Sequence, residues 1–531
     1  MKSLGVLLDC SRNVVYTVAA LKKYIKILSR MGYTQLQLYT EDTLQIDGEG
    51  QFGYLRGRYT SEEIMELDAF SRKNGIELVP CIQTLAHMWG LTRWWDYYEC
   101  TDTSDILLAD EERTYKLLDN VFKTCARIFT SRRINIGMDE AEMTGLGKYL
   151  QKHGYRNRFE VLLGHLQKVC AIAEKYGFKP MMWSDMFFKL ASGGNYYAEQ
   201  PISIPDEVIS SVPENLQFIY WDYYTEDRKV YDAMLSSHGK FGNDIIFAGG
   251  AWTWSGFVPH NRLSIRRNNI ALAACAEQGI DEILITSWHD DGGECSLFGN
   301  LPSLWYAAEN SRGNFDEASI KSGFKKIAGI DLDGFLLLDE PDIFDGEVRQ
   351  VNPSKYMLYS DPFLGWLDCS VQEEQCRKFG ILKNKLSEYA SDKNFGYIFK
   401  CIAELCNVLE VKYALGIRTR RAYKSGGNEL DTLIKDYGEA EKRLGHFYKA
   451  FKKQRERECK SFGFEIHDIR LGGLIRRIKH CKEQLINYRK GTIKFIDALE
   501  ENIIPMSHDY KTGTPIEYNM WISTAMIKPL H

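Results

Sequence analysis

The sequence has no run of roughly 18 uninterrupted apolar residues, the length that would span a bilayer, so no membrane helix is expected. Its thirteen cysteines form no CxxC pair and no His/Cys cluster at metal-ligand spacing. That pattern argues against a zinc site and against a disulfide scaffold, and no metal or other cofactor is expected. Charge of neither sign dominates: 67 Lys+Arg stand against 72 Asp+Glu, a net charge of -5. With a pI near 6.2, nothing pulls the chain as a whole toward nucleic acid or a membrane surface. A secretory leader is not visible either, because the short apolar run after Lys2 meets Asp9 with no cleavage site behind it. Scattered, odd-numbered cysteines suit a reducing compartment, and a cytoplasmic location is expected.

The first ~300 residues repeat one pattern, a short apolar and often β-branched run followed by a helical stretch. The runs are 4–10, 35–39, 77–83, 133–137, 180–185, 216–223, 245–252 and 282–288. Segments such as VAALKKYIKILSRMG and TYKLLDNVFKTCARIF lie between them with 3.6-residue periodicity, and Gly32, Gly75, Gly177 and Gly279 mark helix ends. Eight strands alternating with helices predict an α/β fold with a parallel sheet, closed into a (β/α)8 TIM barrel. No Gly-rich phosphate motif follows the first strand, which disfavours an open dinucleotide-binding sheet.

Beyond about residue 340 the strand signals fade and long charged helical patterns take over. The expected division is a catalytic barrel over 1–338, a linker over 339–361 carrying Pro341, Gly346 and Pro353, and an all-α C-terminal domain over 362–531. The basic run 451–460 is interleaved with acids on a helix and reads as a solvated face, so no nucleic-acid partner is expected.

In such a barrel the chemistry sits where the strands end. Those ends carry Asp9 to Arg12, Glu41 and Asp42, Gln83 to His87, Asp139 and Glu140, Trp183 to Asp185, Trp221 to Tyr224, Trp252 to Trp254, and Trp288 to Glu294. Any one of these acids or indoles reads best as a cap or as packing. Together, acids and aromatics on one rim suit a carbohydrate pocket, because carboxylates accept from hydroxyls and indole faces pack on the C–H side of a pyranose. Asp139 and Glu140 are the sharpest feature. Glycoside hydrolysis generally needs two carboxyl groups, and neighbouring acids can divide the roles because each environment sets its own pKa.

The stretch Asn135-Ile-Gly-Met-Asp-Glu-Ala resembles the Asp-Glu signature of glycoside hydrolase family 20, the β-N-acetylhexosaminidases. The match is to a branch that lacks the usual N-terminal β-domain and carries a helical C-terminal one. It extends through LDCSRN, LYTEDT, FGYLRGRYT, ELVPCIQTLAHM, AWTWSGF, SWHDDGGECSLF and GFEIHDIRLGGL. Asn135 and Glu142 depart from it, at positions where His is expected.

The resemblance implies an exo-acting, retaining, substrate-assisted hydrolysis of terminal β-linked N-acetylhexosamine. In it the sugar's own acetamido oxygen attacks C1. Glu140 would be the acid and then the base, Asp139 would hold the acetamido N–H, and Tyr223, favoured over Tyr224, its oxygen. Arg12 would bind the 3- and 4-hydroxyls, with a salt bridge to Asp9 or Asp42 as its structural alternative. Glu294 would take the 4- and 6-hydroxyls, while Trp183, Trp254 and Trp288 box the methyl and the sugar face. His87 is expected to bond a catalytic acid or the 3-hydroxyl. Asp185, Asp290 and Asp291 receive no role. The implied partner is an N-acetylhexosamine-terminated oligosaccharide or glycoconjugate, with a homodimer left open. Two rivals are a retaining glycosidase with an enzyme carboxylate as nucleophile, and a carbohydrate-binding barrel without turnover.

Overall fold

The computed structural model describes residues 2–343 and 346–504. Eight parallel strands close into a barrel in chain order: β1 (Ser3–Asp9), β2 (Gln35–Tyr39), β3 (Glu77–Cys81), β4 (Arg133–Asn135), β5 (Lys179–Trp183), β6 (Gln217–Trp221), β7 (Ile245–Gly250) and β8 (Glu282–Ser287). Closure is made by β8 pairing with β1, with Val6 opposite Ile285 on one side and Leu36 on the other. The strands are buried almost end to end, as the near-continuous apolar runs require when helices cover a parallel sheet.

Helices α1 (Val18–Met31) and α2 (Ser61–Lys73) show how local sequence sets the alternation. Thr17 caps α1 by accepting the Ala20 N–H, and Gly32 ends it at φ 91°. Thr60 and Glu63 form a reciprocal capping box at the start of α2. The helices that follow in the barrel's first half are α3 (Trp89–Thr92), α4 (Glu112–Ile128), α5 (Lys148–His153), α6 (Arg158–Lys175) and α7 (Asp185–Ser192).

Inside the barrel a short polar chain replaces apolar packing. Asn135 on β4 donates to Gln37 on β2 (3.1 Å), and Gln37 donates to Gln35 (2.9 Å). Asn135 therefore bridges β2 and β4 as a buried amide.

The chain divides into two compact units along lines other than those expected from sequence. Of the described residues, one comprises those within 1–251, 264–288 and 303–327; the other comprises those within 252–263, 289–302 and 328–504. The loops after β7 and β8 thus group with the helical unit, and its chain boundary falls at 327/328 instead of 338. The segment 339–361 is ordered over much of its length. It holds the 3-10 turn Leu337–Asp342 and the helix Pro353–Tyr359, whose seven residues are all buried. The physical reason is Asp342, whose carboxylate caps that helix by accepting the Ser354 N–H at 2.8 Å.

Within the helical unit, long helices such as Gly396–Lys412, Leu430–Glu458 and Phe464–Arg489 supply the core. Phe257 packs edge-on against Phe447 and Phe451 there. Residues 505–531 of the expected domain lie outside the described residues.

Candidate active site

The exit from β4 is a strained turn. Gly137, Met138 and Glu140 have φ of 73°, 70° and 51°, and a non-glycine residue in that region costs on the order of 1–3 kcal/mol. Side chains hold it in place. Asn135 accepts the Gly137 N–H (3.0 Å), Gln83 accepts the Met138 N–H (3.2 Å), and Asp185 accepts the Glu140 N–H (3.0 Å). A Cβ on Gly137 would lie 2.0 Å from the Gln83 amide oxygen, so only glycine lets this turn close on Gln83.

The turn aims two adjacent carboxylates into different surroundings. Asp139 is buried, accepts from Gln83 Nε2 at 2.7 Å and stands 3.2 Å from His87 Nε2. Burial disfavours its charge, but the His87 cation and these contacts outweigh that and hold the carboxyl below the usual carboxylate range. Glu140 keeps its side chain 49% exposed and lies 3.6 Å from the same His87 nitrogen. His87, itself at φ 57°, is pulled down by burial and raised more strongly by Asp139, to about 9, so it is an imidazolium at neutral pH.

Behind this pair runs a network through Tyr39 and Glu41. Gln83 also donates to the Tyr39 hydroxyl (3.0 Å), which donates to Glu41 (3.1 Å). Glu41, at φ 43°, is pushed to about 6 by burial, against the pull of Arg12 and His87. Arg12 pairs with Asp9 at 3.0 Å, lies 3.9 Å from Glu41, and stands over the rings of Trp288 (5.2 Å) and Tyr39 (5.4 Å). The salt bridge offered as its structural alternative is therefore present, to Asp9, while Arg56 takes Asp42. Trp288 meets Tyr39 edge-on at 4.8 Å and Trp183 at 5.9 Å.

Six of the sequence candidates, Arg12, His87, Asp139, Glu140, Trp183 and Trp288, thus form one linked constellation at the strand ends. Tyr223 is buried and stacks on Trp221 at 5.3 Å, and Asp222 folds the exit of β6 by accepting the N–H groups of Tyr224 and Thr225. Trp254 and Glu294 belong to the helical unit. There Trp254 stacks on Trp252 at 4.3 Å. Glu294 is fully buried, 2.7 Å from Lys355 Nζ and 3.3 Å from Arg470. Asp291 is pushed to about 7 by burial, against the attraction of Lys355.

Sequence reasoning gave no role to Gln83, Tyr39, Glu41 or Asp185, although three of them stand at strand ends it had inspected. Asp185 is fully buried and 3.2 Å from Lys189, which also pairs with Glu142 at 2.5 Å. Burial pushes Asp185 to about 7 against the Lys189 charge. Glu142, at the position where the resemblance would place His, is thus an ion-pair partner of Lys189. Among the described residues no group of three or more His, Cys, Asp or Glu side chains is placed to hold a metal ion, and no helix is long and apolar enough to cross a membrane.

Two family models match stretches of this chain. The model "Glycosyl hydrolase family 20, catalytic domain" matches residues 4–230, and "Glycoside Hydrolase 20C C-terminal domain" matches 333–516. Human Hexosaminidase D is 23% identical over 340 residues, spanning 59% of this chain and 66% of that one. A β-hexosaminidase of Akkermansia muciniphila is 22% identical over 215 residues, 34% of this chain and 43% of its own. Among solved structures, a GH20 exo β-N-acetylglucosaminidase from Vibrio harveyi has a TM-score of 0.48 at 17% identity, covering 64% of this chain and 58% of its own. The chain therefore spans less than two thirds of these relatives' lengths. Two models of one family match separate stretches that together make up most of the sequence, and the chain belongs to glycoside hydrolase family 20.

Proposed function

We propose that this protein is an exo-acting, retaining β-N-acetylhexosaminidase that removes terminal β-linked GlcNAc or GalNAc by substrate-assisted catalysis. The observation that carries this reading is the division of labour between adjacent acids. Asp139 is buried and held ionised by His87 and Gln83, which suits a group that accepts the acetamido N–H and stabilises an oxazolinium-like cation. Glu140 is half exposed, which suits a group that must reach the leaving oxygen and then a water.

In this account the acetamido oxygen attacks C1 while Glu140 protonates the leaving oxygen. Glu140 then takes a proton from the incoming water, which opens the ring intermediate with net retention. Tyr223 would hold the acetamido oxygen, Arg12 the 3- and 4-hydroxyls, and Trp183 and Trp288 the sugar face. The roles given to Trp254 and Glu294 rest on the sequence resemblance alone.

The test is release of p-nitrophenol from the β-N-acetylglucosaminide and from the plain β-glucoside, by wild type and Glu140→Gln. The account expects turnover of the acetamido sugar only, falling in the variant by about 10²–10⁴, the range of general acid–base help. Equal turnover of both sugars would point to an enzyme nucleophile and overturn the reading.

A further inference from the structure

The motif GFEIHDIRLGGL (463–474) and the helix that ends just before it have no part in the chemistry described above. Both belong to the helical unit, and so does the loop 289–297 that follows β8. The helices Leu430–Glu458 and Phe464–Arg489 meet at a corner, joined by the short connection 459–463. That corner grips the loop residue by residue.

Arg470 Nη1 donates to the Asp291 carbonyl at 2.7 Å, and His467 Nε2 donates to the Gly292 carbonyl at 3.0 Å. Arg455 donates to the Gly293 carbonyl at 3.0 Å, and Gln454 to the Glu294 carbonyl at 3.4 Å. Glu458 accepts from the Ser296 hydroxyl at 2.5 Å and from the Leu297 N–H at 2.9 Å. Four successive carbonyls are thus each taken by a different side chain. Gly292 and Gly293 sit at φ 102° and 77°, so this buried segment joins no strand or helix and its carbonyls need partners from outside.

Two features of the corner are costly unless they serve the loop. Glu458 is the last residue of its helix, where the macrodipole is negative, and burial pushes its carboxyl up. Burial beside Arg455 and Arg470 holds His467 well below the ordinary histidine range. It is therefore neutral, with a single N–H to give, and Gly292 receives it. Arg470 does the most, because the nitrogen on the Asp291 carbonyl also lies 3.3 Å from the Glu294 carboxylate. It couples the backbone of the loop to the direction of that side chain. Lys355 takes the other carboxylate oxygen at 2.7 Å. A carboxylate offers about four lone-pair sites, so both oxygens keep capacity for hydroxyl donors.

We propose that Arg470, backed by the rest of this corner, is a positioning residue that sets the Glu294 carboxylate for the 4- and 6-hydroxyls of the substrate. The proposal rests on the hydrolase reading above, with the part it gives Glu294. It assigns the motif 463–474 a task in selecting the sugar, acting through the loop after β8. Arg470 suits that task better than Lys355. Its guanidinium fork holds a backbone carbonyl and a carboxylate together, whereas an ammonium is a point charge on a flexible stem. Its side chain is also 22% exposed, so it can be changed without leaving a sealed charge behind.

The experiment measures kcat and KM for p-nitrophenyl β-N-acetylglucosaminide and its 4,6-dideoxy analogue in wild type, Arg470→Met, Arg470→Lys and Arg476→Met. Arg476 is an exposed cation on the same helix, and its removal controls for charge. On the parent sugar Arg470→Met should lose about tenfold in kcat/KM, the scale of one charge-assisted hydrogen bond, carried by KM. On the analogue it should match wild type within about twofold, because the hydroxyls that Glu294 holds are gone. Arg470→Lys should recover part of the loss, and Arg476→Met should behave as wild type on both sugars. An equal loss on parent and analogue, or no loss on either, would make Arg470 merely structural and overturn the proposal. A loss in Arg476→Met as large as in Arg470→Met would do the same. Should Arg470→Met not fold, Arg470→Lys decides: a loss confined to the parent supports the proposal, and an equal loss on both sugars, or none, sinks it. Equal turnover of parent and analogue by wild type would remove the part given to Glu294, and the proposal with it, while the hydrolase reading stands. No turnover of the parent by wild type would remove both.

Discussion

The buried carboxylate of Asp185 accepts the backbone N–H of Glu140 at 3.0 Å, across 45 residues of sequence. Glu140 sits at φ 51°, a conformation that needs outside support, and Lys189 holds Asp185 in turn at 3.2 Å. Asp185 is a positioning residue: it fixes where the Glu140 side chain begins. Asp185→Ala should lower kcat by about 10²-fold, the scale of a 1 Å misplacement, with KM little changed. Asp185→Asn, whose amide oxygen can still accept, should fall between. A matched change in KM, or wild-type kcat in the alanine variant, would remove this role.

Gly137→Ala should be among the costliest small substitutions in the barrel. Its φ of 73° and the 2.0 Å approach to Gln83 leave no room for a methyl group. We expect a loss of stability on the order of 1–3 kcal/mol, with activity lost alongside because Gln83 also holds Asp139. Thermal unfolding together with kcat/KM checks both parts.

The His87–Asp139 pair gives a pH dependence of definite sign. Histidine titrates near 6.5 in an unfolded chain and at about 9 here, because the Asp139 charge overcomes the effect of burial. The stabilisation is therefore fully present below pH 6.5 and is lost as pH rises through about 9. Unfolding of wild type and His87→Gln at pH 6 and pH 10 should show a gap in Tm that narrows at the higher pH. A gap that widened would reverse the assignment.

Glu294 makes a different prediction, confined to the helical unit. It is buried between Lys355 and Arg470, so Glu294→Gln removes a charge from a desolvated ion cluster. Breaking such a pair from one side typically costs about 3–5 kcal/mol. Differential scanning calorimetry should show a clear drop in Tm, whatever the effect on turnover.

Much of the barrel was legible because parallel strands covered on both faces read as short apolar runs: six of the eight runs contain the observed strand whole, and β1 and β5 begin one residue before theirs. The Asp139–Glu140 pair was legible because a strand end is where a barrel presents side chains. The unit boundary was not. Residues 252–263 and 289–302 follow barrel strands in sequence but pack with the helices, through contacts such as Phe257 on Phe447 that no local pattern encodes. Nor could spacing reveal that Gln83 holds Asp139 or that Asp185 holds Glu140, since these bonds join different strands. Left-handed backbone at Met138 and Glu140 is equally silent in sequence, because neither residue type favours it.

The claim at the centre of this account is that the substrate's acetamido oxygen, not an enzyme group, attacks C1. It is tested most directly by kcat/KM for p-nitrophenyl β-N-acetylglucosaminides carrying zero, one, two or three fluorines on the acetyl methyl. Fluorine withdraws electrons from the attacking oxygen, so the account predicts a rate that falls steeply with each fluorine added. A rate independent of fluorine number would contradict it and put an enzyme carboxylate in the nucleophile's place.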